Sequence, residues 1–512
     1  MHADAHAGDD ETSTWPWSML AGQALRPPGP FDPWQAFNAG CDVWWGSHAD
    51  GAALERRAAW RLRDLLQAAS AAPLQAARLR AAAGRGTADP GRSALAAQRV
   101  SRLPLTAIEP IGRIEAMARF DEACTDRAVT LGEVRRFLDD PQRLGEAFLG
   151  RYGVWTSSGT SGTPGIWVHD ARAIAVYDAL ESLRMCGFDR PGAGAALVEE
   201  WLRAPLGTER RYAMVAATGG HFAGNATVER IRRNWPWAAR TARTFSIIQP
   251  LPALVAQLEA YQPSVLATYP TAAEVLAAER LAGRLSIRPR EIWVGGEQLT
   301  EAARRQIAEA FGCRVRASYG SSECLSIAWE CPHEALHVNA DWAVLEPVDR
   351  QMNPVPAGTP SHTVLLTNLA NHVQPIIRYD LGDSITLPGT RCACGSPMPV
   401  VRVEGRRDDV LSFAGPEGPV RLLPLALATV MEEDAGIADF QLLGRDGHSL
   451  VLRVAGAPVG SVPRERARAA LRRYLDRQGL CDVAIVDDPA PPRREPISGK
   501  LRRVLRAPDG AR

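Results

Sequence analysis

Twice in the middle of the chain a short apolar run hands over directly to a helical pattern. "SVLATYP" (264–270) precedes "TAAEVLAAERLAG" (271–283), and "EIWVGG" (291–296) precedes "TEAARRQIAEAFG" (300–312). An apolar run of about four to eight residues suits a buried strand, and apolar residues recurring every third or fourth position suit a helix with one covered face. Strands that alternate with helices are joined by crossovers. The expected result is an α/β fold with a largely parallel sheet, flanked by helices, whose strand-end loops hold ligand. The alternation extends from about Tyr152 to Val403.

Near "VEGRRDDVLSF" (403–413) the pattern changes. "IADFQLLGRDGHSLVLRVAG" reads as two strands around a Gly-Arg-Asp-Gly turn, "RERARAALRRYLDRQG" as a helix and "CDVAIVDD" as a further strand. This predicts a small, mobile α+β domain over 408–512, with the boundary at Arg407–Asp408, behind a large domain over 51–407. At 512 residues more than one domain is expected, because single cores seldom exceed roughly 250–300 residues. Residues 1–50 carry Trp15, Trp17, Trp34, Trp44 and Trp45 among Gly and Pro, a variable Trp-rich segment suited to packing on a neighbouring surface. From Leu54 to about Ala83 an Ala/Leu/Arg-rich stretch predicts one or two amphipathic helices.

A formal charge of +1 gives no reason to expect nucleic acid or an anionic membrane as partner, and no apolar run is long enough to span a bilayer. The polar, acidic opening "MHADAHAGDDETSTWPW" is unlike a signal peptide, and nine cysteines in such a chain point to a reduced, cytoplasmic protein.

Two features carry chemistry before any resemblance is invoked. "TSSGTSGTPG" (156–165) alternates small hydroxyl residues with glycine, so backbone N–H and side-chain O–H donors can converge on an anion such as phosphate. It is not a Walker loop, because no Gly-Lys-Ser/Thr follows. The only Gly-Lys pair is Gly499-Lys500, and Lys500 is the only lysine in a chain that otherwise uses arginine. An ammonium is a compact charge on a slender stem, where a guanidinium is a broad planar fork. A lysine kept at that one place suits a crowded site that the loop itself leaves without a cation.

The order of the segments resembles the adenylate-forming superfamily of acyl-CoA synthetases, adenylation domains and luciferases, in particular its phenylacetate–CoA ligase-like branch. The resemblance covers about Leu103 to the C-terminus. It implies a phosphate loop at Ser157, Ser158, Gly159, Thr160, Ser161 and Gly162, with Thr163 where the family usually has lysine. "VGGEQLT" resembles the adenine-side loop, through Gly295, Gly296 and Glu297. "YGSSE" resembles the element in which Tyr319 flanks adenine, Gly320, Ser321 and Ser322 bind the nucleotide beside it, and Glu323 helps hold Mg²⁺. "RYDLGD" implies that Asp383 binds the ribose hydroxyls. "GRRDD" implies a hinge at Asp408 with Arg406 near the nucleotide. "PISGKLRR" implies the catalytic lysine, Lys500, and "GPEGPVR" sets Gly415 on the thiol path. Singly, Asp383 reads as a turn residue, Glu323 as a solvated carboxylate and Asp408 as a surface ion pair; six segments in order outweigh those readings.

A second constellation is metal-like. "ECPHEALH" contributes Cys331 and His337, with His333 as its rival, and "RCACG" contributes Cys392 and Cys394. Three thiolates and an imidazole suit a closed, tetrahedral zinc site. "ATGGHFAG" sets His221 and Phe222 where the superfamily has an aromatic gate, and "ATYPT" sets Tyr269 at the mouth of the acyl pocket; His221 reads equally well as a core histidine. Aromatic walls suit a flat, aryl-type acid. The implied activity is ATP-dependent activation of a small carboxylic acid as acyl-AMP, then transfer to CoA or a phosphopantetheinyl carrier protein, with ATP, Mg²⁺ and structural Zn²⁺ as cofactors and a homodimer allowed. The rivals are an adenylating enzyme with an amine, hydroxyl or protein acceptor, and a nucleotide-binding relative without turnover.

Overall fold

The computed structural model describes residues 32–84, 103–157, 165–185, 211–218, 220–235, 238–297, 299, 301–404, 411–415, 418–422, 426–427, 430–437, 440–493 and 503–506. The sequence-predicted site residues Ser158, Gly159, Thr160, Ser161, Gly162, Arg406, Asp408 and Lys500 lie outside these.

Three helices come first, α1 (Pro33–Ser47), α2 (Gly51–Ala69) and α3 (Pro73–Gly84). Asp32 and Asp50 cap the first two by accepting from backbone N–H groups of the opening turn. Helix α1 is seated on the large unit through Ala39, Val43 and Gly46, while Trp34 and Trp45 face outward at 72% and 63% exposure. A buried charge cluster locks this corner. Arg184 grips Asp341 in two bonds of 2.8 and 2.9 Å, and Arg61 lies 3.5 Å over the Trp342 ring. With every charge paired, such burial is tolerated.

The short helix α4 (Arg113–Ala118) leads to a hairpin, β1 (Gly153–Thr156) and β2 (Ile166–His169), in which Thr156 faces Ile166. Helix α5 (Ala171–Ala179) continues as a π-helical stretch, Leu180–Met185. The main sheet then assembles from β3 (Tyr212–Ala216), β4 (Ala242–Ser246), β5 (Val265–Thr268), β6 (Glu291–Val294), β7 (Arg314–Ser321), β8 (Cys324–Glu330), β9 (Leu336–Val338), β13 (Ile385–Thr386) and β14 (Val400–Val403). Between β9 and β13 in the chain, β10 (Ala343–Val348), β11 (Thr363–Asn368) and β12 (Tyr379–Asp380) make a separate three-stranded sheet.

The α/β expectation holds, with a division the sequence did not announce. Strands β4, β3, β5, β6 and β7 are parallel neighbours, and helices at 223–234, 251–261, 270–281 and 301–311 supply the crossovers. From β7 onward, β8, β9, β14 and β13 are antiparallel. The reversal takes place in one tight turn, Ser321 to Cys324. That turn overlaps "YGSSE", so the change of strand direction coincides with that motif.

Toward the C-terminus, β15 (Leu411–Gly415) and β16 (Gly418–Leu422) form a hairpin. Strands β17 (Phe440–Arg445), β18 (Ser449–Val454), β19 (Ala484–Asp487) and β20 (Val504–Arg506) form a four-stranded sheet covered by a helix, Val462–Arg477. The predicted turn between β17 and β18 has Asp446 and Gly447 at φ +53° and +71°, the left-handed pair that lets two strands reverse without splaying. Phe440, Leu442, Leu452, Leu471 and Leu475 bury this unit's core. Among the described residues no helix is long and apolar enough to cross a membrane.

Candidate active site

The reversing turn is the floor of the site, and its backbone leaves no choice of residue at one position. The register between β7 and β8 shifts between Tyr319 and Ser321. A Cβ on Gly320 would lie 1.9 Å from the Leu325 carbonyl oxygen, so only glycine lets the two strands approach this closely. Beyond it, Trp155 Nε1–H donates to the Ser322 carbonyl at 2.8 Å and His169 Nε2–H donates to the same oxygen at 3.1 Å. His169 Nδ1 in turn accepts from the Tyr177 hydroxyl at 3.2 Å, and Asn368 Nδ2 donates to both Tyr177 and the Glu323 carbonyl, at 2.7 and 2.9 Å. Burial lowers the His169 pKa to about 3, so the ring stays neutral and keeps this tautomer. Two consecutive carbonyls of the turn are thereby fixed, which orients Ser322 and Glu323.

Above the floor lies a cavity of 1570 Å³, larger than the roughly 300–1,000 Å³ of ordinary ligand clefts. That volume admits a nucleotide together with an acyl group. Tyr319, Gly320, Ser321, Ser322, Glu323 and Asp383 all line it. The Tyr319 hydroxyl donates to Asp383 Oδ2 at 3.1 Å, which joins two separate motifs on one wall. Glu323 is only 3% exposed, and its Oε1 lies 3.9 Å from Arg113 Nη2. Gly295, Gly296 and Glu297 leave β6 along the same wall. Gly296 has φ +79°, and a Cβ there would meet the Tyr269 ring at 3.3 Å. Ser157 stands at the mouth of the phosphate-loop segment. Its N–H donates to the Gly165 carbonyl and its Oγ accepts from Gly165 N–H, both at 2.8 Å, so the loop's two ends are clasped.

The acyl-side residues divide. Phe222, Tyr269, Trp235 and Trp293 all line the cavity. His221 is not among the lining residues. Its Nε2–H donates to the Asp140 carbonyl at 3.3 Å and its ring packs 5.4 Å from Phe137, where burial lowers its pKa. The chain runs extended through Phe222, so the two neighbours face opposite ways, and the core reading of His221 is the one its surroundings support. Gly415 ends β15, where a Cβ would meet Val420, the Gly418 carbonyl and Leu480, away from the cavity-lining set.

At the far end of β8, Cys331, His337, Cys392 and Cys394 bring one donor atom each within 4.8 Å of one another. Strand register selects the histidine. His337 is paired with Trp329 and Val400 inside the sheet, whereas His333 sits exposed on the connecting turn. His337 Nδ1–H donates to the Met398 carbonyl at 2.8 Å, leaving the Nε2 lone pair turned toward Cys394 Sγ at 3.3 Å. The Cys331 and Cys392 sulfurs are 3.7 Å apart, close to the edge of about 3.8 Å expected between thiolates on tetrahedral zinc. Backbone N–H groups of His333, Cys394 and Ser396 point at the three sulfurs, as thiolates require. The donor set fits zinc.

Three contributors escaped sequence reading. Arg113, the His169–Tyr177–Asn368 chain and Glu181 belong to no local motif and meet the site only through tertiary packing. Glu181 lines the cavity with its side chain exposed to the water there; enclosure by the protein around it, with Asp178 nearby, raises its pKa toward about 7, and that water screens the effect.

Residues 238–362 match the AMP-binding enzyme family. A phenylacetate-coenzyme A ligase of Thermus thermophilus is 28% identical over 279 residues, 48% of this chain and 61% of that protein. Protein CapK of Staphylococcus aureus is 28% identical over 161 residues, 31% of this chain and 34% of its own. In both cases the matched stretch spans less than two thirds of the relative. A solved 2-hydroxyisobutyryl-CoA ligase, complexed with 2-HIB-AMP and CoA in the thioesterification state, superposes with a TM-score of 0.53 at 21% identity, over 89% of this chain and 90% of that one.

Proposed function

We propose that this chain, which matches the AMP-binding enzyme family over residues 238–362, is an adenylate-forming enzyme and an ATP-dependent acid–thiol ligase. The observation that carries the reading is the bonded Tyr319–Asp383 pair lining the cavity with Glu323, because two motifs 64 residues apart in the chain meet around one space.

In the first half-reaction a carboxylate oxygen attacks the α-phosphorus of ATP. An acyl–O–P bond forms, the bond to the β-phosphate oxygen breaks, and pyrophosphate leaves. Two anions must approach each other, so catalysis is chiefly charge neutralisation and positioning. Asp383 accepts from the ribose hydroxyls, Tyr319 stacks beside the adenine, and Gly295 and Gly296 let the base lie close to the backbone. Ser157 and the loop it clasps donate to phosphate oxygens. Glu323, held by the Asn368 bond to its own carbonyl, is the carboxylate suited to Mg²⁺, which when bound neutralises phosphate charge. Lys500 brings an ammonium between the reacting anions. In the second half-reaction a thiol sulfur attacks the acyl carbon, the C–S bond forms, AMP leaves with the C–O electrons, and the thiol proton passes to solvent. Rotation about Asp408 would withdraw Lys500 between the two steps.

The aromatic residues among the cavity lining, Phe222, Tyr269, Trp235 and Trp293, favour a flat, aryl-type acid over a small aliphatic one. Zinc at Cys331, His337, Cys392 and Cys394 would close the β8–β9 turn onto the loop before β14 and carry no chemistry. A hydroxylamine-trapping screen of aryl, arylacetic and short aliphatic acids, run with and without CoA or a pantetheinylated carrier, tests the reading. An acid-dependent hydroxamate, with AMP release accelerated by thiol, is expected. Acid-dependent pyrophosphate release that no thiol accelerates would move the acceptor to an amine, hydroxyl or protein side chain. ATP binding without acid-dependent release would overturn catalysis itself.

A further inference from the structure

Resting on the ligase reading and deepening it, we propose that the acid carries an extended apolar tail, which lies along the sheet between the helix Ala223–Asn234 and strands β3, β5 and β6. Ligands of α/β folds ordinarily sit just outside the carboxyl ends of the parallel strands. The cavity has that part, with Tyr319, Glu323 and Asp383, and a second limb that continues to the amino ends. Tyr212, Ala242 and Val265, the first residues of β3, β4 and β5, all line it. Along the helix the lining residues include Ala223, Thr227, Ile231 and Trp235, one per turn from the first residue to just past the last. The helix has 12 residues, so at 1.5 Å per residue the limb is about 18 Å long.

Strand alternation leaves this face of the sheet to the cavity. Tyr212 and Met214 pair with Val265 and Ala267, and Ala267 pairs with Trp293, so these five share one face. All five line the cavity, whereas Ala213, Leu266 and Ile292 between them are fully buried in the core behind the sheet. The Tyr212 and Trp293 rings meet edge to face at 5.9 Å, an aromatic wall for a tail to lie against. Charge sets the direction of the acid. Among the described lining residues the arginines are Arg113, Arg304 and Arg402, none of them on this helix or on β3, β5 or β6. The lining near the helix instead includes Asp178, bonded to Arg230 at 2.7 Å, and Glu181. A carboxylate is repelled there, so the tail enters the limb and the carboxylate stays in the nucleotide part of the cavity.

The test compares hydroxamate formation by the full chain across ω-phenylalkanoic acids, from phenylacetic to phenyloctanoic acid, and calorimetric binding of the matching non-reactive acyl-sulfamoyl adenosines. Each added methylene should raise kcat/KM and affinity about threefold until the limb is full. Ile231→Trp should lower the phenyloctanoyl values about tenfold or more while the phenylacetyl values stay within about threefold. Ala242→Phe, which narrows the limb from β4, should do the same and replaces the first variant if that one does not fold. Values that stop rising at phenylacetic acid would overturn the proposal and leave this face to another occupant, and so would variants that weaken both acids equally. Should no acid give a hydroxamate, the ligase reading fails, while the sulfamoyl adenosine series still decides whether a tail occupies the limb.

Discussion

Strand β8 has a polar cluster at each end, and the two are built on opposite plans. Glu323 immediately precedes the strand and Cys331 immediately follows it. At the Glu323 end the charged groups line a cavity, with 3.9 Å between Glu323 and Arg113. At the Cys331 end four donors aim at one another within 4.8 Å, with backbone N–H groups behind them. Charge that lines a lumen can meet something that enters. Inward convergence would spend all the donors on one central ion. The same strand therefore carries one site suited to exchange of ligands and one suited to permanence.

The sharpest way to break this contrast is at the open end. Lys500→Ala is expected to lower acyl-AMP formation a hundredfold or more, followed by ATP–pyrophosphate exchange, while thioester formation from supplied acyl-AMP stays within about threefold. Equal loss in both half-reactions would mean that the cavity's chemistry is not divided between two domain positions.

At the closed end, Cys394→Ser or exhaustive chelation should lower the melting temperature by about 5 °C or more and leave the ATP KM of the remaining folded enzyme unchanged. One zinc per chain by elemental analysis is the companion result. A purified chain with no bound metal and an unmoved melting point in Cys394→Ser would remove the permanent member of the pair.

Asp383→Asn should raise the ATP KM about tenfold with little change in melting temperature, because the amide oxygen can still accept from Tyr319 but no longer offers a charged acceptor to ribose. A melting point that falls with the affinity would show that the Tyr319–Asp383 bond is structural scaffolding.

The smallest effect concerns Glu181. Its folded pKa, about 7, lies above the ordinary carboxylate value, so the folded state binds its proton more tightly than the unfolded chain does. The stability this confers is complete below the unfolded pKa and disappears as pH rises through about 7. Glu181→Gln should therefore melt about 1–2 °C higher than wild type at pH 8.5, with a smaller difference at pH 5.5, the effect being limited by the water its carboxylate meets in the cavity. A difference independent of pH would assign the change to packing.

Much of the fold could be read in advance. The runs at 264–283 and 291–312 became strand and helix as their periodicities require, and Asp446-Gly447 turned the chain where a left-handed pair was needed. The glycines of "VGGEQLT" and "YGSSE" likewise announce places where backbone must come close, and Gly320 is the clearest instance. The reversal from parallel to antiparallel at Ser321–Cys324 was not legible, because a strand's own residues do not state the direction of its neighbour.

The sequence by itself determined which kinds of side chain are available and where the backbone can turn, since both follow from interactions among residues a few positions apart. Only the tertiary structure decided that His337 and not His333 joins the cysteines, that Phe222 and not His221 faces the cavity, and that Arg113 meets Glu323. Those outcomes depend on strand register and on which face is buried, and both are settled by contacts between segments that are distant in the sequence.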